Sequence, residues 1–260
     1  MGKIIEIKNL NYEYGDLAFE SFNMSINEGD IVSLIGPSLS GKTTLLKMLC
    51  HKLPNEWCYF KGNSFKDISV NTLKREIVVV LDTKLNEYSV KLELLHYISQ
   101  LDFSEKVIDE KYNKIITYFG LEMIENKPIL ELSYRDKVLI RILSYLIIEP
   151  SFLAIDCVFS LLSNTNKKRL IEYIKENKIT LLNVINDLND TLLGNKIYII
   201  DNHELIMNGS TTSILKADTV LKRLGFSLPL ATDLSIQLVN YEILKKIYND
   251  SDKLVGALWK

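Results

Sequence analysis

Gly36-Pro37-Ser38-Leu39-Ser40-Gly41-Lys42-Thr43 decides how this chain is read. It satisfies G-x-x-x-x-G-K-[ST], the pattern of a phosphate-binding P-loop. The flanks agree with it. Ile31-Val32-Ser33-Leu34-Ile35 before the stretch is an apolar, strand-like run. Thr44-Leu45-Leu46-Lys47-Met48-Leu49 after it carries leucines at helical spacing. Strand, glycine-bounded loop and helix are what the chemistry needs. Backbone N–H groups turn inward around a polyphosphate, and the helix N-terminus adds partial positive charge. Gly36, Pro37, Ser38, Leu39, Ser40, Gly41, Lys42, Thr43 and Thr44 are therefore the expected phosphate-binding set. Lys42 reaches for the terminal phosphates, and Thr43 offers a hydroxyl to Mg²⁺. The competing reading is an accidental Gly/Ser turn before a helix, and both flanks argue against it. Leu39 stands where many such loops place another glycine, so a stiffer loop is expected.

Composition sets the outer limits. At 260 residues, with 47% hydrophobic and 25% charged residues, the chain is globular and can bury a sizeable core. One large domain, or one domain with an appendage, is expected. The net charge of −2 gives no bulk attraction to nucleic acid. Lys167-Lys168-Arg169, the one compact basic run, reads as a solvated helix face. Cys50, Cys58 and Cys157 form no C-x-x-C pair, and their odd number argues against a disulfide framework. His51, His96 and His203 are scattered, with no metal-ligand spacing. Met1 leads directly into a strand pattern, so no signal peptide is expected. The apolar stretch Ile142 to Leu162 is interrupted by Glu149, Pro150 and Asp156 and does not read as a membrane span.

Along the chain, Lys3 to Lys8 and Phe22 to Ile26 alternate as half-buried strands do. Between them lies Tyr12-Glu13-Tyr14-Gly15; a tyrosine there either stacks on an adenine face or covers the end of the sheet. Trp57 to Phe65 and Ile77 to Leu81 supply further strands, and Val90 to Phe119 turns helical, with Gly120 as its stop. Ser151 to Asp156 is an apolar strand ending in Asp, the form of a Walker B element, and Asp156 is placed to hold Mg²⁺. Strands at Ile179 to Val184, Lys196 to Ile200 and His203 to Met207 follow, with Asn208-Gly209 read as a turn.

In this order the chain resembles the nucleotide-binding subunit of an ABC transporter, over residues 3 to about 215. Tyr14 falls where that family places its adenine-stacking aromatic. Leu132-Ser133-Tyr134-Arg135-Asp136 occupies the place of the L-S-G-G-Q signature, and Glu149-Pro150 precedes the Walker B strand as in the family. The departures fall on catalysis. Cys157 stands for the catalytic Glu, Asn186 for the switch His, Asp82 for the Q-loop Gln, Tyr134-Arg135 for the signature Gly-Gly, and Ser163 for the D-loop Asp. The tail, from Leu221-Lys222-Arg223-Leu224-Gly225-Phe226 through a helix-like Thr232 to Tyr248, resembles the C-terminal extension of energy-coupling-factor (ECF) transporter ATPases.

The resemblance implies an α/β P-loop NTPase fold of the ABC-ATPase type. An antiparallel β subdomain, an inserted helical subdomain at about 87–149 and a C-terminal helical extension are expected. Residues 1–215 would form the nucleotide-binding domain and 216–260 the extension. ATP and Mg²⁺ are the implied cofactors, with Thr43, Asp156 and Asp82 as the metal set. A second ABC ATPase subunit, in a hetero- or homodimer, a transmembrane coupling subunit and a substrate-binding membrane subunit are the implied partners. The implied location is peripheral, on the cytoplasmic face of the cell membrane. The function implied is a catalytically degenerate ATP-binding half of an importer for a vitamin or metal ion. A nucleotide-sensing or scaffolding pseudo-ATPase is the alternative. A soluble P-loop kinase is disfavoured by the ordered downstream elements.

Overall fold

The computed structural model describes residues 2–15 and 17–259, without the side chains of Tyr14 and Leu17. Its strands are β1 (Lys3–Tyr14), β2 (Leu17–Asn27), β3 (Ile31–Ile35), β4 (Cys58–Phe60), β5 (Asn63–Ser64), β6 (Ile77–Val80), β7 (Phe152–Asp156), β8 (Thr180–Val184), β9 (Lys196–Asp201) and β10 (Glu204–Ser210). Its helices are α1 (Lys42–Leu49), α2 (Val70–Glu76), α3 (Val90–Ile98), α4 (Glu105–Phe119), α5 (Tyr134–Leu146), α6 (Asn164–Glu176), α7 (Thr211–Leu215), α8 (Asp218–Arg223), α9 (Leu230–Asn240) and α10 (Ser251–Leu258). Among the described residues no helix is long and apolar enough to cross a membrane.

The strands form an antiparallel sheet, β2-β1-β4-β5, and a mixed sheet, β10-β9-β3-β8-β7-β6. In the mixed sheet, β9, β3, β8, β7 and β6 run parallel, and β10 pairs antiparallel with β9. The parallel strands read as unbroken apolar runs because both faces are covered. Along β7, Phe152 and Ala154 join the core shared with the antiparallel sheet and α1. Leu153 and Ile155 join the opposite core, with Val138, Ile142 and Leu143 of α5 and Tyr173 of α6. One strand thus ties both layers together, and alternation along it decides which side chain serves which layer. A third core gathers Ile35 of β3, Ile197 and Ile199 of β9, Ile214 and Leu215 of α7, and Leu221 of α8.

Several local expectations are corrected by the structure. The helical stretch from Val90 to Phe119 is two helices, because the chain turns through Ser99 to Phe103 before α4 begins; Gly120, at φ 65°, does end α4 as expected. Asn208-Gly209 is no turn: both residues pair inside β10, opposite Tyr198 and Ile197. Glycine is favoured there for space, since a Cβ at Gly209 would lie 2.9 Å from Ser213 Oγ at the start of α7. The turn falls earlier, at Asn202 and His203, which take φ of 46° and 64°. The tail is not one helix from Thr232 to Tyr248; α9 stops at Asn240, and α10 begins at Ser251 under an Asp250 cap. Tyr12 to Tyr14 lie within β1 rather than after it.

Candidate functional site

The site forms where parallel strands end side by side. Leu34 of β3 pairs with Val184 of β8, and Val184 pairs with Asp156 of β7. The residues that follow each strand therefore emerge at one edge, which is where α/β sheets bind ligands. They are the loop from Gly36, the pair Asp156-Cys157, and Ile185-Asn186.

Two glycines let the loop sit this low on the sheet. A Cβ at Gly36 would lie 2.0 Å from the Ile200 carbonyl oxygen of β9. Gly41 adopts φ 98°, and a Cβ there would lie 2.3 Å from Phe19 Cζ. Phe19 is only 2% exposed and cannot retreat. Leu39 also takes a left-handed φ, 66°, with 90% of its surface exposed. A non-glycine residue held there costs of order 1–3 kcal/mol.

The loop closes on Lys42. Its buried ammonium donates to the carbonyls of Gly36 (2.9 Å) and Pro37 (2.7 Å) and to Ser40 Oγ (3.1 Å). Burial draws its pKa below the ordinary lysine value, partly offset by Cys157 and Asp156 nearby. No side chain caps the N-terminus of α1, whereas Ser89, Ser133 and Ser163 cap α3, α5 and α6. An uncapped first turn aimed at a glycine-bounded loop is an anion site. Beside it, Thr43 Oγ1 donates to Asp156 Oδ2 at 2.8 Å. That hydroxyl and carboxylate are hard oxygen donors of the kind Mg²⁺ prefers. The residues present therefore fit a magnesium-bound polyphosphate.

Cys157 and Asn186 meet as well. Asn186 Nδ2 lies 3.6 Å from Cys157 Sγ, and the Cys157 N–H donates to the Val184 carbonyl at 3.0 Å. Cys157 holds a left-handed φ of 59°. Burial first, and the Asp156 carboxylate second, push its thiol pKa up. At neutral pH the thiol keeps its proton, so it is no general base.

The other expected positions are placed less directly. The Tyr14 side chain lies outside the described residues. Ser133 Oγ accepts from the Asp136 N–H (3.2 Å) and donates to its carboxylate (2.6 Å), so Ser133 and Asp136 form the cap of α5. Tyr134 and Arg135, next to that cap, are exposed.

Asp82 gives its carboxylate to the Lys84 N–H (3.0 Å) and to Arg141 Nη2 of α5 (3.2 Å), not to the Thr43–Asp156 pair. Arg141 Nη1 also lies 3.5 Å from Oε1 of Glu93, which is fully buried on α3. Glu93 Oε2 accepts from the N–H groups of Asn86 (2.7 Å) and Glu87 (3.0 Å). A buried arginine thus ties the segment after β6 to both helices, a link that spacing alone did not signal. Arg141→Ala is expected to cost about 3–5 kcal/mol in chemical denaturation, because it strands a buried carboxylate. A loss below about 1 kcal/mol would show that the tie carries no such role.

Comparison with known proteins accounts for this layout. The sequence profile described as ABC transporter matches residues 19–159. The chain belongs to the ABC transporter family. As a member it is an ATP-binding subunit of such a transporter. The energy-coupling factor transporter ATP-binding protein EcfA1 of Halalkalibacterium halodurans is 23% identical over 273 aligned positions, covering 100% of this chain and 98% of that protein. Among solved structures, CbiO1 from Clostridium perfringens, part of the ABC transporter complex cbiONQ, matches with a TM-score of 0.75 at 21% identity, over 94% of this chain and 99% of its own. A dimeric ATP-binding cassette in a post-hydrolysis state, bound to ADP and Pi, matches with a TM-score of 0.68 at 20% identity, over 80% of this chain and 99% of its own. At these identities the structural likenesses show the ABC cassette fold, a P-loop NTPase.

Proposed function

We propose that this chain is the catalytically degenerate ATP-binding half of an ECF-type ABC importer. One observation carries the reading: the loop, Lys42 and the Thr43–Asp156 pair are assembled for binding, while the residues beside them, Cys157 and Asn186, cannot activate water. In-line attack on a γ-phosphoryl group needs a water that is oriented and can be relieved of its proton. A carboxamide can hydrogen-bond a water, but neither it nor a protonated thiol can take the water's proton. Lys42 and the first turn of α1 would hold the phosphates, Thr43 and Asp156 the Mg²⁺, and Tyr14 the base. Mg²⁺ when bound supplies neutralising charge to the phosphates.

The full-length similarity to EcfA1 supports the ECF assignment, and so does the helical tail beyond α7. On this reading the chain pairs with a second ATPase and sits peripherally at the cytoplasmic face, beneath a transmembrane coupling subunit and a substrate-binding subunit. Its cargo would be a vitamin or metal ion. The purified chain is expected to bind Mg-ATP in a calorimetric titration and to release phosphate at no more than background rate. Robust phosphate release by the chain alone would overturn the degenerate assignment, and absence of any Mg-ATP binding would overturn the nucleotide assignment.

A further inference from the structure

The β9–β10 turn reaches the P-loop. His203 Nε2 lies 3.0 Å from the Leu39 carbonyl oxygen. The acceptor is a carbonyl, so Nε2 carries the hydrogen and donates it. The bond is therefore compatible with both the neutral and the protonated ring. The same ring meets Phe19 edge to face, with centroids 5.3 Å apart and planes at 66°. Phe19 in turn fills the space beneath Gly41, and the Ile200 carbonyl, just before the turn, presses on Gly36. The end of β9 and its turn thus touch the P-loop at Gly36, at Leu39 and, through Phe19, at Gly41.

Two residues in left-handed conformations face each other across this contact. Leu39 holds φ 66° and His203 holds φ 64°, where glycine would be at ease in either place. The exposed Leu39 side chain packs on nothing that would fix its own backbone. The histidine holds the Leu39 carbonyl from outside the loop, while Lys42 holds the Ser40 side chain from inside it. A trans peptide sends its N–H opposite to its C=O. Turning the Leu39 carbonyl out toward His203 therefore turns the Ser40 N–H back into the loop. There it meets the Pro37 carbonyl at 3.4 Å, a long and weak contact. An N–H so lightly engaged remains a donor for an anion.

We propose that His203 is a positioning residue for nucleotide binding, fixing the Leu39–Ser40 peptide so that the Ser40 N–H faces the phosphates. The inference rests on the reading of the loop as the ATP site. It does for a P-loop carrying Leu39 what a glycine at that position leaves to the backbone's own freedom.

The turn itself supplies the discriminating variant. His203→Gly removes the donor and the ring's contact with Phe19 while relieving a left-handed residue, so the effects on stability oppose one another and the fold should survive. His203→Gln restores an N–H donor of comparable reach. Two measurements on the full chain test the proposal: amide hydrogen exchange at Ser40 and Gly41 without nucleotide, and Mg-ATP affinity by calorimetry. His203→Gly is expected to speed exchange at these amides and to weaken Mg-ATP about three- to tenfold, the worth of one hydrogen bond, with a cooperative thermal melt retained. His203→Gln should recover most of both losses. Unchanged exchange and affinity in His203→Gly, with the parent binding Mg-ATP, would overturn the role of His203 and leave the nucleotide reading standing. Failure of the parent to bind Mg-ATP would overturn the nucleotide reading, and this inference with it.

Discussion

Lys42→Ala is expected to reduce Mg-ATP affinity by about 100-fold or more, with a much smaller change in the stability of the fold. The two effects have different origins. Charge-assisted hydrogen bonds to phosphate are among the strongest a side chain makes, and Lys42 is the one lysine the loop encloses. Stability is set by two opposing contributions. Burial lowers the Lys42 pKa, so the folded chain binds that proton less tightly than the unfolded chain. Between the lowered value and the ordinary value of 10.5, stability therefore rises with pH. At neutral pH that protonation cost is set against the hydrogen bonds Lys42 gives to the Gly36 and Pro37 carbonyls and to Ser40 Oγ, which alanine would leave unpaired. Calorimetry and a thermal melt on the same preparation check both halves. Retained affinity would take the loop out of the binding site. Lost affinity together with a collapsed melting temperature would show a folding defect instead.

In a complex with a competent ATPase, hydrolysis is expected at one composite site only. On the family's arrangement, each site joins one subunit's P-loop to the other's signature. The site on Lys42 contains the protonated thiol of Cys157 and the carboxamide of Asn186, so it should hold ATP without turnover. The opposite site would use the partner's P-loop and catalytic Glu against Ser133, Tyr134 and Arg135 of this chain. The Ser133 hydroxyl is already given to Asp136, and the exposed side chains beside it crowd the approach. A slow rate is therefore expected there. Removing the partner's Glu should abolish steady-state ATPase activity, a loss of at least about 100-fold. Cys157→Ala should stay within about twofold of the parent, since the thiol takes no proton. Loss of activity in Cys157→Ala with the complex intact would reverse the assignment of the two sites.

The P-loop was legible because its chemistry is local. Eight consecutive residues specify the turn, the anion site and the metal hydroxyl together. Asp156, Cys157 and Asn186 were legible at one remove, since parallel strands bring their C-terminal ends to one edge whatever the details between them. Contacts between segments distant in sequence were not legible. Asn208-Gly209 gave the stronger turn signal, yet the turn lies at Asn202-His203, two residue types that tolerate a left-handed conformation but signal a turn less strongly than Asn-Gly. The link from His203 to Leu39 was hidden with it. Asp82 was placed by analogy toward the metal, but Arg141, 59 positions later, claims its carboxylate. Arg141 sits among buried neighbours from Val138 to Ser144, and nothing in local periodicity marks it as the partner of Asp82. In the tail, amphipathic spacing ran on past Asn240, while the chain leaves the helix there and turns left-handed at Glu242.

The third core gives the tail a mechanical relation to the nucleotide loop. Leu221 of α8 is fully enclosed with Ile35, and Ile35 is the residue immediately before Gly36. Leu224, Phe226 and Leu228 lean on the same cluster. A chain cut at residue 215 would not be a trimmed nucleotide-binding unit; it would bare the wall behind its own phosphate cradle.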